Sequence, residues 1–277
     1  VSVRRRESTR YMNLFDSHVH SDNSHDGEHS VTFLCENAQE KGLMGLCITD
    51  HYELNLNNAQ ADMCLRNSFI ETGRARQAFD HRLMVMNGIE MGQAIQDLNR
   101  ANAVLRKYRF DFVIGSLHCD RQMDDYAYVD FSNLDAELIL QHYFEEMLEL
   151  CQWGKFDSLA HMTYPLRYIT GKYHIQIDMS QYDELIHEIL STLARKDLAL
   201  EINTAGLRRE IRQTSPTLEY VREFRELGGR FLTFGSDAHR AQDLGANLDV
   251  AFDMAKEAGF SYFTVYKKRE PRLLRLL

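Results

Sequence analysis

The sequence has little of what marks linkers, disulfide-rich scaffolds or membrane spans. Only three prolines and 15 glycines occur in 277 residues, which leaves no room for a flexible linker between domains. The five cysteines form no CxxC pair and no regular spacing, as expected for reduced thiols in a cytosol. No apolar run approaches the roughly 20 residues that a membrane helix needs. These absences predict a cytoplasmic globular protein.

Positive charge is also scarce. The formal net charge is −9, which argues against a nucleic-acid partner and against a membrane surface as partner. An anionic substrate would therefore be held by a local cation, either a metal ion or an arginine. At 277 residues, with 44% hydrophobic and 26% charged residues, the chain suits one large α/β domain. Nothing in the sequence predicts the oligomeric state.

The first residues differ from the rest of the chain. Residues 1–11 contain four arginines and no hydrophobic core, so they do not form a secretory signal. We expect 1–11 to be a tail without function, disordered or foreign to the native protein, and 12–277 to be a single domain.

Buried-strand patterns alternate with helical patterns along the whole domain. The strands are expected to begin near residue 12 and to occupy 43–51, 83–90, 112–118, 156–161, 198–204 and 231–239. The helices are expected near 30–41, 60–80, 97–108, 135–151, 181–195, 215–229 and 248–258. Seven strand–helix repeats favour a parallel barrel over an open sheet. A last short strand is predicted at 262–266, and a short packing helix is predicted from 267 to 277.

Possible metal ligands follow six of the seven main strands. They are His18 and His20, His51, Glu90, His118, His161, and Asp237 with His239. Only the 198–204 strand ends otherwise, at Asn203. Barrel enzymes place their catalytic groups at the C-terminal ends of the strands, where the loops converge. Histidines with purely structural roles have no reason to choose that position, so we predict a metal site there.

The ligand types indicate which ions the site would take. Neutral imidazoles and carboxylates together suit Zn, Mn or Fe, and a carboxylate can bridge two ions. With Asp26 the set has nine members, which fits three divalent ions with three ligands each. His25 is the alternative to Asp26. Asp50 precedes a ligand and either orients one or caps the following loop.

Several motifs in one order resemble the PHP (polymerase and histidinol phosphatase) superfamily. They are HVH at 18–20 with Asp26, TDH at 49–51, GIE at 88–90, GSLH at 115–118, AH at 160–161 and GSDAH at 235–239. Within it the chain most resembles the monofunctional histidinol-phosphate phosphatases, through EINTAGLR at 201–208 and HMTYPLRY at 161–168.

The resemblance implies a distorted (β/α)7 barrel, similar to a TIM barrel, with a trinuclear site at the C-terminal strand ends. It implies that His18, His20, Glu90 and Asp237 hold one ion. Glu90, His118 and His161 would hold the second, and Asp26, His51 and His239 the third. Some members have a histidine where this chain has Asp26, so the third ion has a harder, oxygen ligand here. Zinc is favoured, with manganese or iron as alternatives.

The resemblance also implies that Arg167 and Arg208 hold the substrate phosphate. A guanidinium binds phosphate through two parallel hydrogen bonds, which suits that role. The alternative is that both are solvated loop residues. Arg209, Arg212 and Lys172 lie nearby in the sequence and could share the role.

The expected activity is hydrolysis of L-histidinol phosphate to L-histidinol and inorganic phosphate, in histidine biosynthesis. The expected chemistry is in-line attack on phosphorus by a hydroxide that bridges two ions, with Glu90 as the carboxylate that the resemblance implies also bridges two ions. Asp237, His239 or a metal-bound water would protonate the leaving alkoxide. One alternative is another small substrate, a nucleotide or sugar phosphate. The other is a PHP module that binds metal without catalysis.

Overall fold

The computed structural model describes residues 14–56 and 59–276. The tail predicted for 1–11, and the start of the domain at residue 12, lie outside these residues and stay predictions.

Ten strands and seven α-helices are present among the described residues. The strands are β1 Phe15–Val19, β2 Gly45–Ile48, β3 His51–Glu53, β4 Met84–Gly92, β5 Phe112–Ser116, β6 Ser158–Leu159, β7 Ala199–Asn203, β8 Leu232–Gly235, β9 Tyr262–Lys267 and β10 Glu270–Arg275. The helices are α1 Val31–Glu40, α2 Ala59–Ala78, α3 Leu98–Lys107, α4 Ala136–Trp153, α5 Asp183–Arg195, α6 Leu218–Glu226 and α7 Leu248–Glu257.

The strands form a parallel barrel with helices between them. Strands β1, β2, β4, β5, β6, β7 and β8 follow one another in parallel, and β3 continues the line of β2 beside β4. The two ends of the sheet meet where His20 N donates to Ala238 O at 2.9 Å and Asp237 N donates to His18 O at 2.9 Å. Hydrogen bonds thus join β1 to the end of β8, which confirms the distorted barrel.

The burial of the strands explains their sequence pattern. Every residue of β1, β2, β5, β7 and β8 is buried, because the strands have the barrel interior on one face and helices on the other. Near-continuous apolar runs follow from that. A polar side chain inside such a strand therefore needs a partner in the interior.

Local signals placed several helix ends correctly. Ser30 accepts a hydrogen bond from Phe33 N at the start of α1, as its capping position predicted. Gly42, expected to end this helix, has a positive φ of 72°, which glycine tolerates.

Two expectations about local structure were wrong. Helix α6 does not open at Ser215 and Pro216 but begins at Leu218 after Thr217. Ser215 is instead held in an extended bridge by two backbone hydrogen bonds with Asn203. The C-terminal residues form β10, not a helix, because they pair antiparallel with β9 along its whole length.

Two further features concern cysteines and membranes. All five cysteines are free thiols, and four of them are buried. None of the helices between residues 14 and 276 that the structure describes combines the length and apolar character of a membrane span.

Candidate metal centre

The end of β1 supplies two imidazoles that point the same way. His18 and His20 are two residues apart, so an extended backbone directs both side chains into the barrel. Their Nε2 atoms lie 3.3 Å and 3.4 Å from Glu90 Oε2, and 3.8 Å and 3.5 Å from Asp237 Oδ1. Both imidazoles are fully buried. These four side chains form one corner of the site.

Glu90 lies at the middle of the cluster. It stands near the C-terminal end of β4 and has no exposed surface. Its Oε1 is 3.1 Å from His118 Nε2 and 2.9 Å from His161 Nε2, while its Oε2 is 2.9 Å from His51 Nδ1. His18 and His20 at the end of β1 also face Glu90, so this carboxylate faces imidazoles positioned by four different strands.

The third corner lies toward solvent. His239 Nε2 is 3.1 Å from Asp26 Oδ2 and 3.5 Å from His51 Nε2, and His51 Nε2 is 3.6 Å from Asp26 Oδ1. His25 is more than half exposed and lies 3.9 Å from Asp26. The ring centroid of His25 lies 5.4 Å from that of His51, so this alternative ligand stands at the same corner as Asp26.

The structure brings all nine predicted ligands into one cluster. Among the described residues, three overlapping groups offer ligand atoms within 4.8 Å of one another. The groups are His18, His20 and Glu90; His51, Glu90 and His118; and His20, His51 and His239. The groups overlap at His20, His51 and Glu90, so they form one continuous cluster of possible ligands.

Two carboxylates that we did not predict, one buried and one partly buried, orient these imidazoles. Glu201 Oε1 lies 2.7 Å from His18 Nδ1, and Glu53 Oε1 lies 3.0 Å from His118 Nδ1. Because an ionised carboxylate only accepts hydrogen bonds, each Nδ1 carries the proton. The Nε2 lone pairs then face the centre of the cluster, as metal ligands require.

Their positions explain why they were missed. The prediction rests on residues at the ends of the expected strands, whereas Glu201 lies inside β7 and Glu53 lies two residues after His51 on β3. An acidic residue inside the buried run Ala199–Asn203 was the available signal. Gly235 on β8 gives Glu201 its room, since a Cβ there would overlap Glu201 Oε1.

Asp50 orients a ligand through a serine. Its Oδ1 accepts a hydrogen bond from Ser24 Oγ at 2.8 Å, and Ser21 and Ser68 donate to it as well. Because Ser24 gives its proton to Asp50, its oxygen accepts from His20 Nδ1 at 3.2 Å. Of the two alternatives for Asp50, the structure favours the orienting role. Asp16, by contrast, accepts hydrogen bonds from Ser236 and Gly245 and holds loops together.

The electrostatics of the cluster keep its central carboxylates ionised. Burial alone would raise the pKa of Glu90, but His18, His118 and His51 hold it well below its usual range. Burial disfavours a charged His118, yet Glu53 and Glu90 raise its pKa well above the usual value. Burial would also raise the pKa of Glu53, but His118 and His51 lower it to about 2. Carboxylates that stay ionised in a buried site need positive charge beside them.

The unpaired atoms of the cluster fit metal ions. Among the described residues, His18 Nε2, His20 Nε2, His51 Nδ1 and Glu90 Oε2 are buried and form no hydrogen bond. Buried polar atoms without partners are rare and costly. Divalent ions would provide the missing partners, and this mixture of nitrogen and oxygen donors is one that Zn, Mn and Fe accept.

Two ligand positions have unusual backbone conformations. His161 has a φ of 29° and Asp237 a φ of 54°, values that non-glycine residues rarely adopt. Each such conformation costs of order 1–3 kcal/mol and persists only where surrounding contacts hold it. Here Glu201 accepts the His161 N–H at 3.0 Å, and His18 O accepts the Asp237 N–H. The strain directs both side chains to the centre.

The two predicted phosphate ligands lie on different sides of Asp237. Arg167 is buried, donates to Asp237 Oδ2 at 3.1 Å and to Asn203 Oδ1 at 2.7 Å, and lines a cavity of about 710 Å³ above the cluster. Arg208 donates to Ser236 O at 2.6 Å and lines a neighbouring cavity of about 400 Å³. Asp237 and His239 line both cavities. Neither arginine is a fully solvated loop residue.

The other basic candidates differ in position. Arg209 lines both cavities and Lys172 lines the larger one. Arg212 is exposed, donates to Leu207 O at 3.4 Å and lines neither of these two cavities. Of the alternatives, Arg209 and Lys172 remain close enough to the site to contribute.

Comparisons with known proteins agree with this geometry. A family model described as PHP domain matches residues 16–205. Probable histidinol-phosphatases from Thermotoga maritima and Clostridium acetobutylicum are each 30% identical to this chain. The Thermotoga maritima protein matches 92% of this chain over 97% of its own length. The Clostridium acetobutylicum protein matches 88% of this chain over 93% of its own length.

A solved structure is also similar. The crystal structure of histidinol phosphate phosphatase from Lactococcus lactis, complexed with Zn, L-histidinol and phosphate, is 27% identical. It superposes with a TM-score of 0.82 over 94% of this chain and 99% of that one.

Glu201 provides the first test. Glu201→Gln removes the charge that holds His18 Nδ1–H, so we expect the affinity for Zn²⁺ to fall about 10- to 100-fold, the usual effect of losing such an orienting carboxylate. Competition with a chromophoric chelator measures this directly. Glu223→Gln is the matched control, since Glu223 pairs with His187 at 2.8 Å on the surface, away from the site. Unchanged zinc affinity in Glu201→Gln would show that Glu201 does not orient a ligand.

Proposed function

The chain belongs to the PHP domain family, and we propose that it is a metal-dependent phosphomonoesterase that hydrolyses L-histidinol phosphate to L-histidinol and inorganic phosphate. The observation that carries the proposal is the cluster of six imidazoles and five carboxylates beside Arg167, buried around Glu90 and open toward the cavity at Asp26 and His239. The Lactococcus lactis relative, whose structure contains Zn, L-histidinol and phosphate, supports the substrate.

The nine clustered side chains are the ligands that we propose for three divalent ions, zinc first. His18, His20, Glu90 and Asp237 would hold one ion, and Glu90, His118 and His161 the second. Asp26, His51 and His239 would hold the third. The distances around Glu90 support a bridging role, since both of its oxygens face imidazoles.

The charge balance suits a phosphate ester. Three divalent ions carry +6, the two arginines carry +2 and five carboxylates carry −5, which leaves about +3. The five carboxylates are Asp26, Glu53, Glu90, Glu201 and Asp237. A phosphomonoester dianion would largely neutralise this centre, although the whole chain is acidic.

The ions and the side chains would divide the chemistry between them. Bound divalent ions supply Lewis-acid stabilisation of phosphoryl oxygens and acidify the attacking water. Arg167 is already held by Asp237 and Asn203, so its guanidinium is oriented before substrate binds. Asp237 and His239 line the cavity and are the residues we assign to proton transfer to the leaving alkoxide. Glu90 holds the imidazoles around it.

A substrate panel tests the proposed activity. Enzyme loaded with zinc is assayed on L-histidinol phosphate, a nucleoside monophosphate and a sugar phosphate, and then again after exhaustive chelation. We expect selective hydrolysis of L-histidinol phosphate, its loss after chelation, and its return with Zn or Mn. If the enzyme prefers another ester, that ester is the substrate in place of L-histidinol phosphate. If no ester is hydrolysed, the chain is a metal-binding module without catalysis. Full activity in protein shown to be metal-free would contradict the metal mechanism.

Arg167 and Arg208 are the residues that we propose bind the substrate phosphate, and this role distinguishes a phosphatase from a site that only binds metal. Truncation of either to Ala removes a charge-assisted contact worth about 1.5–3 kcal/mol, so kcat/KM should fall roughly 10- to 150-fold. Much of the loss should appear in KM, and the metal content should stay unchanged. Arg212→Ala is the control, because Arg212 lines neither cavity. The assignment fails if both variants keep the kcat/KM of the wild type.

A further inference from the structure

The large cavity is also lined by carboxylates that are not among the proposed metal ligands. Asp124 and Asp125 lie in the loop after β5 and line the cavity together with Gln93 and Tyr128. We call these four residues the acidic wall.

Among the described residues, no cationic side chain forms an ion pair with the carboxylates of the acidic wall, although Lys172 and Arg209 line the same cavity. Asp125 Oδ1 accepts hydrogen bonds from Ala127 N at 2.8 Å and from Tyr164 OH at 3.1 Å. Both donors are neutral, so neither compensates the charge of the carboxylate. Asp124 is exposed, and its side chain makes no hydrogen bond or ion pair with the residues that the structure describes. Lys172 lines the same cavity but lies over the ring of Tyr173, 5.1 Å from its centroid. A cationic ligand would supply the missing partner.

Tyr164 links the acidic wall to the phosphate end of the cavity. Its ring centroid lies 5.0 Å from that of His161, and the guanidinium carbon of Arg167 lies 5.1 Å from it. Its hydroxyl reaches Asp125. The two ends are therefore separated by about one aromatic side chain, a span that a small phosphate ester covers with a few bonds.

Gln93 supplies an independent sign of a ligand. It is 1% exposed, adopts a positive φ of 52° and lines the cavity. Its Nε2 donates to Cys119 Sγ at 3.3 Å, whereas its Oε1 accepts no hydrogen bond from the described residues. A buried acceptor without a donor is rare in folded proteins and destabilises the fold. An N–H group of a ligand would satisfy it.

We propose that the acidic wall binds the nitrogen-bearing end of the substrate and so selects cationic phosphate esters. The ammonium group would pair with Asp125 and Asp124, and a ring N–H would donate to Gln93 Oε1. This inference rests on the proposed function and extends it. Sugar phosphates and nucleotides have no cation to place there, and a second negative charge would be repelled by the two carboxylates.

N-acetylation of the substrate tests the proposal, because it removes the ammonium charge and leaves the phosphate in place. The wild type should favour L-histidinol phosphate over N-acetyl-L-histidinol phosphate by about 10- to 150-fold in kcat/KM. In Asp125→Asn this ratio should fall most of the way to one, and in Asp124→Asn it should fall less. Asparagine still accepts the hydrogen bonds of Tyr164 and Ala127, and general damage lowers both rates without changing their ratio.

Asp130→Asn is the matched control. Asp130 lies in the same loop, accepts hydrogen bonds from Ser132 and does not line the cavity, so the ratio should stay at its wild-type value. Calorimetric binding of L-histidinol in the presence of phosphate gives a readout independent of turnover. Binding should weaken in Asp125→Asn and not in Asp130→Asn.

The outcomes separate this inference from the proposed function. If the wild type does not hydrolyse L-histidinol phosphate, the proposed function is wrong and the inference fails with it. If the wild type hydrolyses it but shows no preference for the free amine, only the inference is overturned. The same holds if both asparagine variants keep the wild-type ratio and the wild-type affinity for L-histidinol.

Discussion

The structure depends on the compensation of buried negative charge around Glu90. Five carboxylates lie within or against the cluster, and Arg167 is the buried cation that pairs with one of them. Without metal, the imidazoles can neutralise these groups only by taking up protons, as the raised pKa of His118 indicates, and a protonated nitrogen cannot ligate an ion. An uncompensated buried charge costs several kcal/mol, so the cluster requires cations. The same requirement makes the cavity attractive to a phosphate dianion once the ions are bound.

Barrel closure sets the positions of the groups that share this charge. Strand β4 pairs with β2, β3 and β5, so Glu90 lies directly beside His51 in the sheet register. The hydrogen bonds between β1 and the end of β8 bring His18 next to Asp237. The strained backbone at His161 and Asp237 is kept by contacts across the barrel. Fold and site are therefore held by the same interactions.

The sequence predicted the strand-end ligands because a parallel barrel brings all strand ends to one face. Glu53 and Glu201 could not be found that way, since their role depends on which imidazole nitrogen they face across the barrel. The helix expected at residues 267–277 was wrong because pairing with β9, a contact between segments, decided its structure. Likewise serine is a residue type that commonly caps helices, but Ser215 pairs with Asn203 in a β-bridge and the helix begins later, at Leu218. Asp124 and Asp125 lie in a loop that has no periodic pattern, so their position at the cavity could not be predicted from the sequence.

The metal content of the Glu90→Gln variant tests the central claim most directly. Glutamine keeps the size of the side chain and removes the charge that we propose two ions share. Elemental analysis after dialysis should find three divalent ions per chain in the wild type and the loss of at least two in Glu90→Gln. Three ions retained by Glu90→Gln would contradict the claim that this carboxylate organises the centre.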